Sequence, residues 1–297
     1  MNTEVIENDL IHVEASRHGA ELCSILRKSD EREFLWQAAP AYWKRHSPVL
    51  FPIVGRLWND EMRQDDAVYN MSQHGFARDM DFELIKASGD ELRYILRSDD
   101  TTRAKYPYDF ELEIGYQLQG QSLKVLWQVR NTSENAEMHF QIGAHPAFNY
   151  KDYNTEAANQ GYMLFDTSAS NGGYKLSVIG EKGCLKNDRK LLEAPDGIVE
   201  ITRHTFDGDA LILESNQVNS VMLLDRQRTP YVRVSFNAPV VGLWSPACGS
   251  YAPFVCIEPW YGRCDLENYE GEFCDKDWTQ HLKPGKQFNA EYCIDIL

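Results

Sequence analysis

Short strand-like runs recur along this chain at intervals of roughly ten residues, and this spacing is the feature that most limits its possible folds. Each run alternates apolar and polar residues or is rich in β-branched and aromatic residues, and Gly, Asn, Asp or Pro separates it from the next. The clearest runs are 82–86, 92–97, 110–118, 123–131, 221–225, 231–236 and 254–260. The pattern predicts a sandwich or barrel, with a meander in the middle of the set that turns at Asp90, at 120–121 and at 226–230.

Helical periodicity is nearly absent, and the segments 40–43 and 265–270 are predicted to form single turns at most. No dinucleotide-binding glycine motif, phosphate loop or nucleophile elbow occurs, which excludes the common α/β nucleotide-binding and hydrolase classes. The segments 151–161 and 168–196 are rich in Asn, Gly, Lys and Asp, so we predict long loops or irregular hairpins around a site. We therefore expect one all-β domain that spans residues 1–297.

Charge and cysteine content narrow the possible partners and compartment. The formal net charge of -15 and pI near 5.0 argue against binding to nucleic acid or to an anionic membrane surface. Seven cysteines occur without a C-x-x-C pair or zinc-type spacing, as is typical of free thiols in a reducing compartment. The polar N-terminal residues resemble no secretion signal, and no apolar run is long enough to span a membrane. We expect a cytoplasmic protein, either monomer or homodimer.

Four short segments concentrate polar side chains within apolar surroundings: PVLFPIVGR (48–56), QHGFAR (73–78), GAHPAF (143–148) and VCIEPW (255–260). Glu258 follows an apolar run and precedes Pro259, which puts a carboxylate at the end of a buried strand, although a surface turn explains it equally well. His145 precedes Pro146, which indicates a tight turn at a strand end, and a structural histidine is the more common explanation.

The remaining polar residues of these segments have similar alternatives. A turn built around His74 and Arg78 could simply satisfy loop carbonyls, and Arg56 could pair with a carboxylate. Taken together, one Glu, two His and two Arg at strand ends supply a general base, a general acid and hydroxyl donors. The histidines lack the spacing of metal ligands, so we expect no metal site, and neither Ser47 nor Ser72 lies in a nucleophile elbow.

With these segments side by side, the sequence resembles the aldose 1-epimerase (mutarotase) family, and within it the LacX-like branch. The resemblance covers nearly the whole chain and includes the four segments above. It also includes HGAEL (18–22), EFLWQ (33–37) and YPYDF (106–110). Singly these motifs are loose, but their order along the chain is specific.

The resemblance implies a galactose mutarotase-like β-supersandwich that holds a small-molecule sugar in an open cleft on one sheet. It assigns Glu258 as the general base for the anomeric hydroxyl and His145 as the general acid. It further places His74, Arg56 and Asp209 against the sugar, with Asp207 as a competitor for the last role. A hemiacetal ring opens when one proton leaves the C1 hydroxyl and another reaches the ring oxygen, so no cofactor is required.

The motifs are compatible with two classes of sugar substrate. Arg78 with Arg56 could clamp a phosphate, as in hexose-6-phosphate mutarotases, whereas AHPAF (144–148) favours the LacX side and a free aldose such as glucose or galactose. Trp244, Phe148 and Trp260 are candidate stacking platforms for a sugar face, and each could equally belong to the core. The alternatives to an epimerase are a non-catalytic carbohydrate-binding module and, more distantly, a lyase acting on an acidic sugar.

Overall fold

Strands dominate the computed structural model, which describes residues 3–166, 173–247 and 251–297. In the N-terminal half they are β1 (Thr3–Glu7), β2 (Ile11–Ser16), β3 (Leu22–Arg27), β4 (Arg32–Glu33), β5 (Val49–Leu50), β6 (Glu61–Gln64), β7 (Ala67–Asn70), β8 (Glu83–Ala87), β9 (Glu91–Arg97), β10 (Phe110–Gln119), β11 (Ser122–Asn131), β12 (Met138–Phe140), β13 (Ile142–Ala144) and β14 (Ala147–Asn149). In the C-terminal half they are β15 (Tyr162–Phe165), β16 (Gly173–Ile179), β17 (Leu185–Glu193), β18 (Ile198–Glu200), β19 (Leu211–Leu213), β20 (Ser220–Leu224), β21 (Pro230–Phe236), β22 (Val240–Trp244), β23 (Phe254–Tyr261), β24 (Gln280–Leu282) and β25 (Gln287–Ile296).

Helices are few and short among the described residues. One α-helical turn, α1 (Asp100–Arg103), was not predicted, and a capping box between Asp99 and Thr102 stabilises its N-terminus. The short 3-10 helices are Trp58–Asp60, Ala77–Asp79, Glu181–Gly183, Pro195–Gly197 and Phe273–Asp275. No helix in the described ranges has the length and apolar character needed to cross a membrane.

The predicted meander forms one half of a nine-stranded antiparallel sheet. Its strand order is β18-β15-β20-β21-β25-β11-β10-β9-β8, so β8 to β11 lie side by side in chain order. The register pairs Ile114 with Trp127 and Leu112 with Val129, so their side chains share one face of the sheet. These four side chains are buried, whereas alternate residues of the same strands are more exposed. The seven predicted strands are confirmed, with ends that differ by one residue or so.

The second large sheet has the order β17-β16-β19-β22-β23-β13-β5, and β14 also pairs with β23. One face of it packs against the nine-stranded sheet. On β23 that face carries Val255 and Ile257, which belong to the same core cluster as Trp127 and Val129. Because side chains alternate along a strand, Cys256, Glu258 and Trp260 point to the opposite face. The two sheets thus form a sandwich, and the outer face of the second sheet carries a carboxylate.

The polar segments predicted as loops or irregular hairpins have two different structures. Residues 151–161 form turns without strands. The described part of 168–196 contains β16 and β17, an antiparallel hairpin whose register shifts between Ser177 and Ile179, and residues 168–172 lie outside the described residues. Most of β17 is exposed, which explains its polar composition. Segment 265–270 forms turns without a helix.

Candidate functional site

The outer face of the second sheet places Glu258 near the middle of β23, between β22 and the strands β13 and β14. Glu258 pairs with Gly242 of β22, and its side chain is only 2% exposed. The prediction that Glu258 ends its strand is wrong, because β23 continues through Pro259 to Tyr261. On its other edge β23 pairs with β14 at 254–256 and with β13 at 260–261, so Pro259 lies between the two pairings. The missing N–H of proline is therefore tolerated there.

His145 lies in the short connection between β13 and β14, beside that change of partner. The carbonyl of Pro146 accepts a hydrogen bond from the Ile257 N–H at 3.2 Å, which holds the connection against β23. The His145 Nε2 lies 3.3 Å from the Glu258 Oε2. Two residues more than 100 positions apart in sequence therefore meet as a buried carboxyl–imidazole pair.

Two indole rings enclose the imidazole of His145. Trp43 stacks on it with ring centroids 4.6 Å apart, and Trp244 contacts it edge-on at 5.6 Å. Trp244 was predicted as a stacking platform, whereas Trp43 comes from a segment without regular structure and was not predicted. These rings fix the orientation of His145 and shield it from water.

Burial sets the protonation of the pair. It raises the pKa of the Glu258 carboxyl well above 4.5, and the charge of Asp209 raises this pKa further. Burial also lowers the pKa of His145 to about 3, because its cation would be poorly solvated. Burial thus favours the neutral form of both Glu258 and His145.

His74 stands beside His145, with ring centroids 5.6 Å apart. Its ring Nδ1 accepts a hydrogen bond from the Gly55 N–H at 3.0 Å, and the backbone N–H of His74 donates to the Gly55 carbonyl at 2.8 Å. Burial lowers the pKa of His74 well below 6.5, and the nearby His145 adds to this shift. A neutral ring that accepts at Nδ1 carries its proton on Nε2, so His74 can donate one hydrogen bond to a ligand.

The two predicted arginines differ in position. Arg78 lines the cleft, donates from Nη2 to the Gln73 carbonyl at 2.6 Å and has its Nε 3.7 Å from the Asp79 carboxylate. Burial lowers the pKa of Arg78 to about 10, a value that still leaves it charged at neutral pH. Arg56 lies in an adjoining cavity, where its Nη1 is 3.0 Å from the Asp60 Oδ1. The two guanidinium groups therefore have separate carboxylate partners.

The competing aspartates also lie in different places. Asp209 lines the cleft, and its Oδ1 accepts a hydrogen bond from the Ala210 N–H at 2.8 Å. Asp207 contacts His204, with 2.7 Å between its Oδ2 and the Nδ1 of that histidine. Of the two, only Asp209 is positioned to meet a ligand in the cleft.

The cleft has a volume of about 320 Å³. Its wall includes Trp260, whose indole lies against Gly143 and Gly242: a Cβ on either glycine would come within 2.6 Å of the ring. Phe148, the third candidate platform, belongs to the core with no exposed surface. The lining consists of Trp43, Gly55, Gln73, His74, Arg78, His145, Ile179, Gly183, Asp209, Ala210, Ile212, Trp244, Glu258, Trp260 and Cys264. Its volume and its mixture of aromatic and polar groups suit a single sugar ring.

Two groups of three side chains place possible metal-donor atoms within 4.8 Å of one another in the described ranges. One group consists of Glu21, Cys23 and His46, outside the cleft. The other adds the buried Cys256 to the pair of His145 and Glu258. Sequence spacing predicted neither group, because strand pairing and a loop bring their members together.

The fold and the cleft define a β-sandwich protein with a buried glutamate–histidine pair on the outer face of one sheet. The sequence matches the family described as aldose 1-epimerase over residues 3–294. The chain belongs to the aldose 1-epimerase family, which confirms the resemblance seen in its motifs.

Individual relatives agree with this assignment. The chain is 31% identical to the chromosomal protein LacX of Lactococcus lactis subsp. lactis, over 98% of each chain. A galactose mutarotase related enzyme from Lactobacillus acidophilus is 35% identical and superposes with a TM-score of 0.91, over 100% of this chain and 97% of the other. A galactose mutarotase-like protein from Lactobacillus casei is 26% identical with a TM-score of 0.93, over 100% of both chains. The expected galactose mutarotase-like supersandwich is confirmed.

Proposed function

We propose that this protein is an aldose 1-epimerase that interconverts the α and β anomers of a free aldose such as glucose or galactose. The observation that carries the proposal is the direct contact between Glu258 and His145, 3.3 Å apart at the floor of the cleft. Ring opening requires one group that accepts a proton and one that donates a proton within reach of the same sugar. Membership of the aldose 1-epimerase family supports this chemistry.

The pair performs the reaction by exchanging roles. Glu258 takes the proton of the C1 hydroxyl while His145 delivers a proton to the ring oxygen. The bond from C1 to the ring oxygen breaks, and C1 becomes an aldehyde. Rotation about the C1–C2 bond presents the other carbonyl face, and the reverse transfers close the ring as the second anomer. The complete cycle returns both protons to the sugar and involves no redox change.

The resting state of the pair is one proton transfer away from this arrangement. Burial favours a neutral Glu258 and a neutral His145 over a carboxylate beside an imidazolium. The proton can pass from Glu258 to His145 across their 3.3 Å contact without changing the charge of the cleft. Sugar hydroxyls that donate to the Glu258 carboxylate stabilise the ion pair that starts the reaction.

The surrounding side chains hold the sugar. The Nε2 proton of His74 serves a ring or hydroxyl oxygen, and the Asp209 carboxylate accepts from a hydroxyl. Trp43, Trp244 and Trp260 supply flat apolar walls for the ring faces. We assign Arg78 to a hydroxyl and Arg56 to the edge of the site.

A hexose 6-phosphate is the second candidate substrate, because Arg78 lines the cleft and Arg45 adds a positive charge near it. Both arginines contact the Asp79 carboxylate, Arg45 at 2.7 Å and Arg78 at 3.7 Å. A phosphate would have to compete with that carboxylate. We therefore favour the free aldose over the phosphorylated one.

The test follows the relaxation of pure α-anomers of glucose, galactose and their 6-phosphates by polarimetry or NMR. We expect the protein to accelerate relaxation of a free aldose, and Glu258→Gln to reduce the rate by about 10²–10⁴-fold. Glu113→Gln, the same substitution on the outer face of the other sheet, should retain the wild-type rate.

Two outcomes would contradict the proposal. An unchanged rate in Glu258→Gln would remove Glu258 from the mechanism. Binding of a sugar in the cleft without acceleration for any substrate would instead identify a non-catalytic carbohydrate-binding protein.

A further inference from the structure

A second cavity lies next to the cleft and shares Trp43 with it. Its volume is about 860 Å³, and its wall includes Glu21, Cys23 and His46. The possible donor atoms of these three side chains lie within 4.8 Å of one another. We propose that Glu21, Cys23 and His46 bind a thiophilic divalent cation such as Zn²⁺, at a site separate from the proposed acid/base pair.

The Glu21 carboxylate is already oriented for such a site. Its Oε1 accepts hydrogen bonds from the backbone N–H groups of His46 at 2.8 Å and Ser47 at 3.0 Å. The other oxygen, Oε2, lies 3.7 Å from the Nδ1 of His46. Tetrahedral zinc with bonds near 2.0 Å separates its oxygen and nitrogen ligands by roughly 3.3 Å, so small side-chain rotations bring the two atoms into range.

The chemistry of the three donors selects the cation. Thiolate, imidazole and carboxylate together suit Zn²⁺, whereas Mg²⁺ and Ca²⁺ prefer oxygen alone. The negative charges of Glu21, Glu14 and Glu33 act at Cys23 and attract a cation. Burial together with these charges raises the pKa of the Cys23 thiol to about 12, so the cation has to displace the thiol proton. Three protein ligands leave a fourth position for water, and all three residues line the cavity.

Metal binding would replace two contacts that the three residues make with one another. The Cys23 Sγ donates to the Glu21 carbonyl at 3.2 Å, and this contact is lost when the thiol releases its proton to become a ligand. The Glu21 and His46 side chains are partly exposed, with 14% and 19% of their surfaces accessible.

Occupancy of this site would act on the cleft through a loop. His46 is three residues from Trp43, whose ring stacks on His145 at 4.6 Å. A cation that ties His46 to Cys23 on β3 would hold this loop against the sheet of β1–β4. The ion would thereby stabilise one wall of the cleft without occupying it.

The experiment titrates the full-length protein with Co²⁺, then displaces the cobalt with Zn²⁺, in the absence of sugar. We expect one Co²⁺ per chain with a thiolate-to-cobalt charge-transfer band and the strong visible absorption of tetrahedral cobalt. Cys23→Ser should abolish the charge-transfer band, and Cys23→Ser and His46→Gln should each weaken Zn²⁺ binding at least about 100-fold. Cys293→Ser is the matched control, since Cys293 is also a half-buried thiol on a strand, and it should bind as wild type.

A second readout guards against misfolded variants. Zn²⁺ should raise the Tm of the wild type and of Cys293→Ser, but not that of Cys23→Ser, whose metal-free Tm should match the wild type. Wild-type metal affinity in Cys23→Ser, or loss of the band only in a variant of another cysteine, would overturn the proposal. Because no sugar is present, the result does not depend on the epimerase activity.

Discussion

The outer faces of the two large sheets differ in how far their carboxylates are exposed to solvent. On the nine-stranded sheet, Glu113 and Arg93 form an ion pair at 3.0 Å, and Glu111 contacts Arg97 at 3.3 Å. These charges alternate across neighbouring strands in contact with water. On the other sheet, aromatic rings and loops cover Glu258, and only 2% of its side chain is exposed. One face is a solvated surface, whereas the other carries a cleft that buries its carboxylate.

The difference shows that strand alternation decides which side chains leave the core, but not what covers them. The cover of the cleft comes from distant segments: Trp43 from an N-terminal loop, Gly183 from the β16–β17 connection and Asp209 from the residues before β19. Without that cover Glu258 would be one more outward-facing carboxylate. The covering segments therefore convert a surface residue into a group with a strongly shifted pKa.

The largest expected contrast is between the stability costs of breaking a buried and a partly exposed ion pair. Lys276 and Asp265 lie 2.5 Å apart at a cavity separate from the cleft, with 4% and 2% of their side chains exposed. Asp265 also accepts a hydrogen bond from the Trp58 N–H at 2.7 Å. Asp265→Asn should cost about 3–5 kcal/mol of unfolding free energy, because it leaves Lys276 buried without a counter-charge. Urea unfolding at constant pH measures this loss.

The matched control for that measurement is Glu113→Gln, which breaks a partly exposed pair with Arg93. Its cost should be about 0–1 kcal/mol and should shrink as salt is added. Equal losses of unfolding free energy for the two variants would show that the surroundings of Lys276 are as well hydrated as those of Arg93.

The sandwich itself could be predicted from the sequence, because alternation along single strands carries the information. The runs at 110–118 and 123–131 became β10 and β11, since each buries every second side chain. Helix α1 was not predicted, because one capped turn is too short to produce a periodic pattern of apolar residues.

The site could be predicted only in part, because its geometry depends on long-range pairing. The sequence predicts Glu258 and His145 as candidates. Their contact depends on β23 changing partners from β14 to β13, which no local sequence pattern predicts. Trp43 could not be distinguished from any other loop tryptophan. The separation of Arg56 from Arg78 also depends on their individual carboxylate partners.

Alanine substitutions at two glycines of central strands should differ in their stability cost by an intermediate amount. A Cβ on Gly242 would lie 2.5 Å from the buried indole of Trp260, whereas one on Gly115 would meet the partly exposed side chain of Arg93 at 2.6 Å. Gly242→Ala should cost about 1–3 kcal/mol and lower the anomerization rate, because the rigid ring must shift beside Glu258.

Gly115→Ala serves as the control for that substitution, since Arg93 can swing into solvent. Its cost should be under about 1 kcal/mol, with the rate unchanged. Urea unfolding and polarimetry on both variants measure the contrast, and a larger stability loss in Gly115→Ala would contradict it.

The smallest effect is a dependence of stability on pH that arises on the cleft side. Folding raises the pKa of Glu258 above its ordinary 4.5, so the folded chain keeps a proton that the unfolded chain releases above that pH. The stability that this proton confers is fully present below pH 4.5 and is lost as pH rises. The free energy of unfolding of the wild type minus that of Glu258→Gln should therefore fall by about 1.4 kcal/mol per pH unit above pH 4.5.

His145 should show the mirror image of this slope, because folding lowers its pKa from 6.5 to about 3. Its contribution is present above pH 6.5 and is lost as pH falls, so the wild type minus His145→Asn difference should rise with pH up to 6.5. The two slopes have opposite signs, so they oppose each other in the wild type where their pH ranges overlap. Urea unfolding of the three proteins between pH 4.5 and 6.5 tests this opposition. A flat difference for Glu258→Gln would mean that Glu258 ionises in the folded protein as easily as a carboxylate in water.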